Sequence, residues 1–369
     1  MRVPAFVPGL SLAASTYHEA VRPILDVAFP RLVHSAALLG PGSDVLGYDT
    51  ARSTDHDWGP RLLLFLAPAD ARRHTDDLVG VLAERLPSSV QGWSTNFSPP
   101  EPGRSRTLQP AGDAPIAHRI EVFDLDTWLA THLGADPRDG MHARDWLAIP
   151  TQRLLEVTSG AVFHDGLGHL TSIRAALAWY PDDIWRYLLA CQWRRIAQEE
   201  AFPGRCAEVG DDLGSRLVTA RLVRDLMRLA LLVERRYPPY AKWLGTAFVR
   251  LRCAPTLQPL FTDALTAADW PHREGALCAA YEHLARAHND LGLCDPVEPT
   301  VRPFHDRPMR VLAADRFADA THRAITDPEV STLPRHVGGV DQFVDSTDVL
   351  GVADRARAVT GALYGPHAP

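Results

Sequence analysis

The chain reads as an α+β protein, with a small sheet and flanking helices in its first third and a longer, mostly helical part after it. Three observations predict this. Apolar runs at 36–39 and 62–66, and an alternating segment at 118–123, have the length and pattern of strands. From about residue 138 the apolar positions recur at helical spacing instead. A length of 369 residues leaves room for two domains, which the change of pattern places at 1–138 and 139–369.

Taken in order, 12–35 reads as a helix interrupted near Pro23 and Pro30. A glycine-broken bend follows, Leu39-Gly40-Pro41-Gly42-Ser43, then a loop over 44–54 and a strand over 57–66. Pro68-Ala69-Asp70 opens a helix to residue 86, with Leu78, Val79, Val81, Leu82 and Leu86 as its apolar positions. Residues 88–115 are rich in Pro, Gly and Ser and form a loop with a short strand at 90–97. In the strand 118–123, Arg119, Glu121 and Phe123 share one face, and His118, Ile120 and Val122 the other. A helix at 125–133 follows, with Asp124 and Asp126 placed to cap it. Helical periodicity then covers 144–158, 170–179, 182–201, 211–236, 240–252, 256–268 and 272–291, with turns at Gly160, Gly166, Gly204 and Gly210. The tail is punctuated by Pro296, Pro299, Pro303 and Pro308 before helices at 314–326 and 352–363.

Composition narrows the class. With 46% apolar and 22% charged residues the chain can build an ample core. A net charge of −7 does not fit a surface that coats nucleic acid, which would be basic. Cys191, Cys206, Cys253, Cys278 and Cys294 contain no CxxC pair, so they read as reduced thiols rather than a disulfide frame or a zinc site. The N-terminal apolar stretch is short and broken by two prolines, a poor leader, and no run approaches the roughly 20 apolar residues that span a bilayer. The expected location is cytoplasmic, with no membrane partner.

One residue count is informative. Lys242 is the only lysine, so 37 of the 38 basic residues are arginine, a bias expected of a GC-rich coding genome. A lysine kept under that bias marks a place where a compact ammonium is wanted and an arginine fork would not fit. Its setting, Tyr237-Pro238-Pro239-Tyr240-Ala241-Lys242-Trp243-Leu244, is not the composition of a solvated surface.

The bend at Gly42-Ser43 leaves backbone N–H groups beside a hydroxyl, and glycine lets a phosphate approach closely. Asp55 and Asp57 follow, two apart at the predicted strand start and therefore on one face, with His56 opposite. Paired carboxylates beside a phosphate-holding bend suit a magnesium–nucleotide complex, because magnesium prefers hard oxygen ligands and keeps substrate phosphates in its shell. Gly-Ser, a spacer of about ten residues and Asp-x-Asp resemble the signature of the polymerase-beta-type nucleotidyltransferases. The fuller string GSDVLGYD…STDHDWGPRL resembles the family catalogued as DUF4037, a likeness expected over nearly the whole chain.

The resemblance implies a nucleotidyltransferase fold with a small mixed sheet over about 35–125. It further implies two magnesium ions on Asp55, Asp57 and a third acid on a neighbouring strand, the position that Glu121 matches, with Asp124 and Asp126 as rivals where the strand runs out. The helical half is similar to the kanamycin-modifying type of nucleotidyltransferase, and on that likeness Lys242 would meet the β- and γ-phosphates, with Gly42 and Ser43 seating them. The helices 182–201 and 211–236 carry Glu199, Arg221, Arg224 and Asp225, which either form a salt-bridged surface or engage a substrate. His164-Asp165-Gly166 and His305-Asp306-Arg307-Pro308 are turn chemistry.

The function expected is NMP transfer, with ATP as default donor, to a hydroxyl or phosphate of a small-molecule acceptor, releasing pyrophosphate. The alternatives are a nucleotide-binding protein of the same fold without turnover, such as the antitoxin half of a toxin pair, and an enzyme that adenylylates protein side chains.

Overall fold

The computed structural model describes residues 4–112 and 115–365. The chain divides into two compact units, Met1–Gly140 with Arg153–Ala178 and Met141–Gln152 with Trp179–Pro369. The fold is α+β, a small mixed sheet with flanking helices in the first unit and a mostly helical second part.

The first unit is built on four strands: β1 (His34–Leu38), β2 (Arg61–Leu66), β3 (Arg119–Asp124) and β4 (Ala161–Asp165). Their order is β3-β2-β1-β4, antiparallel except for the β2–β3 pair. Strand β2 is central and buried along its whole length, which is why it reads as an uninterrupted apolar run. In β3 the expected alternation holds, with Ile120 and Val122 packed into the core and Glu121 exposed. Strand β4 was not foreseen; it lies between the two turns read at Gly160 and Gly166 and covers the outer edge of β1.

Helix α1 (Pro68–Arg85) covers the sheet with Leu78 and Leu82, and Leu86 follows one turn on, while Val79 turns outward at 38% exposure. The apolar stripe is therefore i, i+4, i+8, narrower than the sequence implied. Helical structure runs through 9–28, with one wide turn at Thr16–Val21 placed before Pro23, and stops at Phe29 ahead of Pro30. Helix α2 (Leu125–Leu133) is capped by Asp124, whose carboxylate accepts the Thr127 N–H at 2.8 Å.

The second unit contains α3 (Asp182–Glu199), α4 (Asp212–Val233), α5 (Ala241–Phe248), α6 (Ala254–Thr266), α7 (Trp270–Asn289), α8 (Asp315–Arg323) and α9 (Ala353–Tyr364). Its core is rich in aromatics: Trp185, Tyr187 and Trp193 on α3 are buried, and the Trp185 ring N–H donates to the Leu232 carbonyl at 2.9 Å. The predicted helix 144–158 is in fact two, Ala143–Ala148 and Thr151–Thr158, broken at Pro150. No helix among the described residues is long and apolar enough to cross a membrane.

Candidate functional site

The start of β2 is organised by a buried ion pair. Arg61 donates through Nε and Nη2 to the Asp44 carboxylate at 3.0 and 2.6 Å, and through Nη2 to the Pro41 carbonyl at 3.0 Å. Both side chains are almost wholly out of water. Burial works against the Arg61 charge, but Asp44 outweighs it and holds the guanidinium above its ordinary pKa, with Glu121 and Asp57 adding to the same field. An arginine heading an otherwise apolar run was the available signal, since a charge there needs a buried partner.

This pair explains Gly42. The residue has φ +150°, and a Cβ added to it would lie 2.2 Å from Arg61 Nη2 and 2.2 Å from Asp44 Oδ1. The open side of Gly42, expected to admit a ligand, is filled by the ion pair. Among the described residues no acceptor meets the amide N–H of Gly42, Ser43 or Asp44. The bend's carbonyls are occupied, Gly42 O by the Leu46 N–H at 3.3 Å and Ser43 O by the Tyr48 N–H at 2.8 Å. Three amides held without a partner by a closed turn are the chemistry of an anion nest.

Asp55 and Asp57 do not share a strand face as the alternation predicted. Asp55 ends a 3₁₀ turn, Ala51–Asp55, and β2 begins only at Arg61. Between them His56 is extended and Asp57 has φ +49°, a left-handed conformation that breaks strand alternation. Asp57 is fixed there from a distant part of the chain, its N–H donating to the Arg106 carbonyl at 2.8 Å and its carboxylate accepting the Arg106 N–H at 3.2 Å. The Asp55 carboxylate turns to His56 Nδ1 at 2.8 Å.

A second guanidinium completes the cluster. Arg119 Nη1 donates to Asp57 Oδ1 at 2.5 Å, and its Nε lies 4.0 Å from Glu121 Oε1. Burial acts to raise the Asp57 carboxyl, but the Arg106 N–H, the Ser105 hydroxyl and Arg119 together hold it below its ordinary value. The structure thus brings Asp57 and Glu121 to one cation, at the end of the sheet where the Arg61–Asp44 pair anchors the bend.

Magnesium would find the right donor chemistry in these carboxylates but not the arrangement. Asp55 faces His56, Asp57 and Glu121 face Arg119, and among the described residues no three His, Cys, Asp or Glu side chains form a group that could hold a metal ion. As they stand, these residues form an ion pair rather than a metal cradle.

In the second unit, Lys242 lies at the start of α5, exposed, its Nζ 4.9 Å from the centre of the Trp243 ring. Arg221 pairs with Glu199 at 2.6 Å, and Arg224 with Asp345 at 2.9 Å. Asp225 is buried and flanked by Arg195 and Arg224, each at 3.4 Å. Of the two roles open to these four residues, the geometry displays salt bridging. The same unit holds a small cavity of about 30 Å³, lined by Trp146, Tyr180, Gln192, Arg228 and Asp341 among others. It is water-sized, and Asp341 beside it accepts the Thr151 N–H at 2.8 Å while burial pushes its carboxyl up.

Comparison with known proteins finds a family model and a solved structure, each matching part of the chain. Residues 146–244 match a domain of unknown function, DUF4037. The match takes in Glu199, Arg221, Arg224, Asp225 and Lys242 and ends there, short of the near-complete span expected. A solved structure, a nucleotidyltransferase-like protein from Exiguobacterium sibiricum, is 14% identical over 74% of this chain and 78% of its own, with a TM-score of 0.32. No curated protein matches the chain.

Proposed function

We propose that this protein is a nucleotidyltransferase, moving NMP, with ATP as default donor, to a hydroxyl or phosphate of a small acceptor. The observation that carries this reading is the Gly42–Asp44 bend, whose three amide N–H groups have no acceptor among the described residues, at the end of the sheet that also bears Asp57 and Glu121. Such a bend takes phosphate oxygens, and the acids beside it suit an attacking group.

In the transfer, the acceptor oxygen forms a bond to the α-phosphorus while the bond from that phosphorus to the bridging oxygen breaks, releasing pyrophosphate. Glu121, exposed at the middle of β3, is the group assigned to take the acceptor's proton. The bend amides and the Ser43 hydroxyl hold the donor's phosphates. Lys242 is assigned to the β- and γ-phosphates. Most of the rate then comes from positioning and charge neutralisation, as in other phosphoryl transfers. Two magnesium ions on Asp55, Asp57 and Glu121 would supply charge neutralisation at the phosphates only once those acids leave His56 and Arg119.

The Arg119 ion pair favours a second reading, a nucleotide-binding protein without turnover. One experiment separates the two. Pyrophosphate release is measured with each of the four NTPs, magnesium and a panel of sugar, nucleotide and peptide acceptors, beside the melting-temperature gain given by each Mg–NTP. Release that disappears in Asp57→Asn supports transfer to the class of acceptor that responds. A melting gain with no release on any acceptor supports the binder, and neither effect would sink both.

A further inference from the structure

The salt bridges around Asp225 in the second unit leave donors over. Arg195 from α3 and Arg224 from α4 flank this buried carboxylate, each at 3.4 Å, beyond the usual hydrogen-bond range. Neither guanidinium is satisfied. The Nε–H of Arg195 and that of Arg224 are buried and meet no acceptor among the described residues. Buried donors are ordinarily paired, so two of them in one cluster mark a place where an acceptor belongs. Arg228 follows one turn after Arg224, its Nη1 donating to the Asp341 carbonyl at 2.7 Å. Arg221 stays outside the cluster, its Nη2 on Glu199 at 2.6 Å.

Asp345 reaches these arginines from the loop between the turns Val340–Phe343 and Thr347–Leu350. Its carboxylate lies 2.9 Å from Arg224 Nη1 and 3.8 Å from Arg228 Nη2, while its side chain is 66% exposed. Burial acts to raise the Asp345 carboxyl, but Arg224, with the charges of Arg228 and Arg195, holds it below its ordinary value. One mobile-sided acid, open to water, thus sits in the field of three guanidinium groups and bonds closely to one of them.

We propose that Arg195, Arg224 and Arg228 form a binding site for a phosphate group, and that Asp345 fills it while phosphate is absent. The site stands apart from the transfer reading and needs no residue of the first unit. A carboxylate is planar with two oxygens, too few for three guanidinium forks, whereas a tetrahedral phosphate offers more acceptors in more directions. The charges agree. With Asp345 withdrawn, three guanidinium groups against the Asp225 carboxylate leave a net +2, which a phosphate of about −2 offsets. The two unpaired Nε–H groups then gain acceptors, and Asp345 is exposed enough to leave without unpacking the core.

The test titrates the ¹⁵N-labelled full chain with inorganic phosphate, glycerol phosphate and acetate near neutral pH, reading the arginine Nε–H signals by NMR. Those of Arg195 and Arg224 are assigned by their absence from R195Q and R224Q. Phosphate is expected to move both signals. R195Q and R224Q are expected to bind it about tenfold or more weakly, the scale of one hydrogen bond to a charged group. D345N should bind about two- to fivefold more tightly, the range of an exposed ion pair removed as competitor. Where circular dichroism shows that an arginine variant does not fold, the other arginine variant and D345N carry the test. A response to both phosphates supports a phosphomonoester ligand, and a response to the inorganic ion alone supports free phosphate. Signals that stay in place in wild type and D345N overturn the proposal. Wild-type affinity in R195Q and R224Q, equal or weaker binding in D345N, or acetate acting as strongly as phosphate each overturn it as well.

Discussion

Arg61 and Asp44 meet at 2.6 Å in a place that excludes water, and the Pro41 carbonyl shares the same guanidinium. Removing one partner leaves the other charged and buried. Arg61→Met is expected to lower the stability of the first unit by about 3–5 kcal/mol, the usual cost of orphaning a buried charge. The double variant R61M/D44L should recover most of that loss. Urea denaturation of the three chains, followed by tryptophan fluorescence, checks this; equal stability of R61M and wild type would remove the pair's structural role.

Gly42→Ala places a methyl 2.2 Å from both members of that pair, on a backbone with φ +150°. Neither the conformation nor the space admits it, and a loss on the order of 2 kcal/mol or more is expected. Gly47 makes the control. It also has positive φ, at +65°, but a Cβ there meets nothing within 4 Å. Melting curves should therefore show G42A well below G47A.

Lys242→Ala tests the phosphate assignment apart from folding. The side chain is exposed, so its removal should move stability by no more than about 0.5 kcal/mol. Pyrophosphate release should fall by about tenfold or more, the scale of one hydrogen bond to a charged group. K242R should not restore it fully, since a fork replaces a point charge. A variant that releases pyrophosphate like wild type would leave Lys242 as a surface residue.

Glu200 gives the second unit a pH dependence. Its carboxylate accepts the N–H groups of Leu312 and Ala314 at 2.8 and 3.0 Å, yet burial outweighs them and pushes the carboxyl up from 4.5 to about 7. The folded state therefore holds a proton that the unfolded chain has released between those values. Stability from this group is complete below pH 4.5 and is lost as pH rises through about 7, on the order of 3 kcal/mol in all. Denaturation between pH 4.5 and 8 should show that decline in wild type and a flatter profile in Glu200→Gln. Equal slopes would mean that Glu200 stays ionised throughout.

What the sequence disclosed depended on how local each cause was. Strands β1, β2 and β3 and the long helices α3, α4, α6 and α7 were legible, because continuous apolar runs and helical spacing are written in consecutive residues. The Asp55–Asp57 geometry was not. Left-handed Asp57 is set by Arg106, 49 positions further on, and no neighbouring residue announces it. Strand β4 was missed for a related reason: 161–165 is half-buried and short, and its partner β1 lies far back in the chain. The acids were found by residue type and spacing. The guanidinium between them was not, since Arg119 was read only as one more residue on a strand face.

Strand β4 also determines how the protein can be cut. It returns to the first unit's sheet after the chain has passed through 141–152, a piece of the second. A fragment ending at Gly140 would leave the outer row of amides and carbonyls on β1 bare, a template on which further chains could add and precipitate. Expression of the sheet on its own must therefore extend through Ala178, with a short linker in place of 141–152. Recombination that exchanged this half between relatives would have to carry both stretches together.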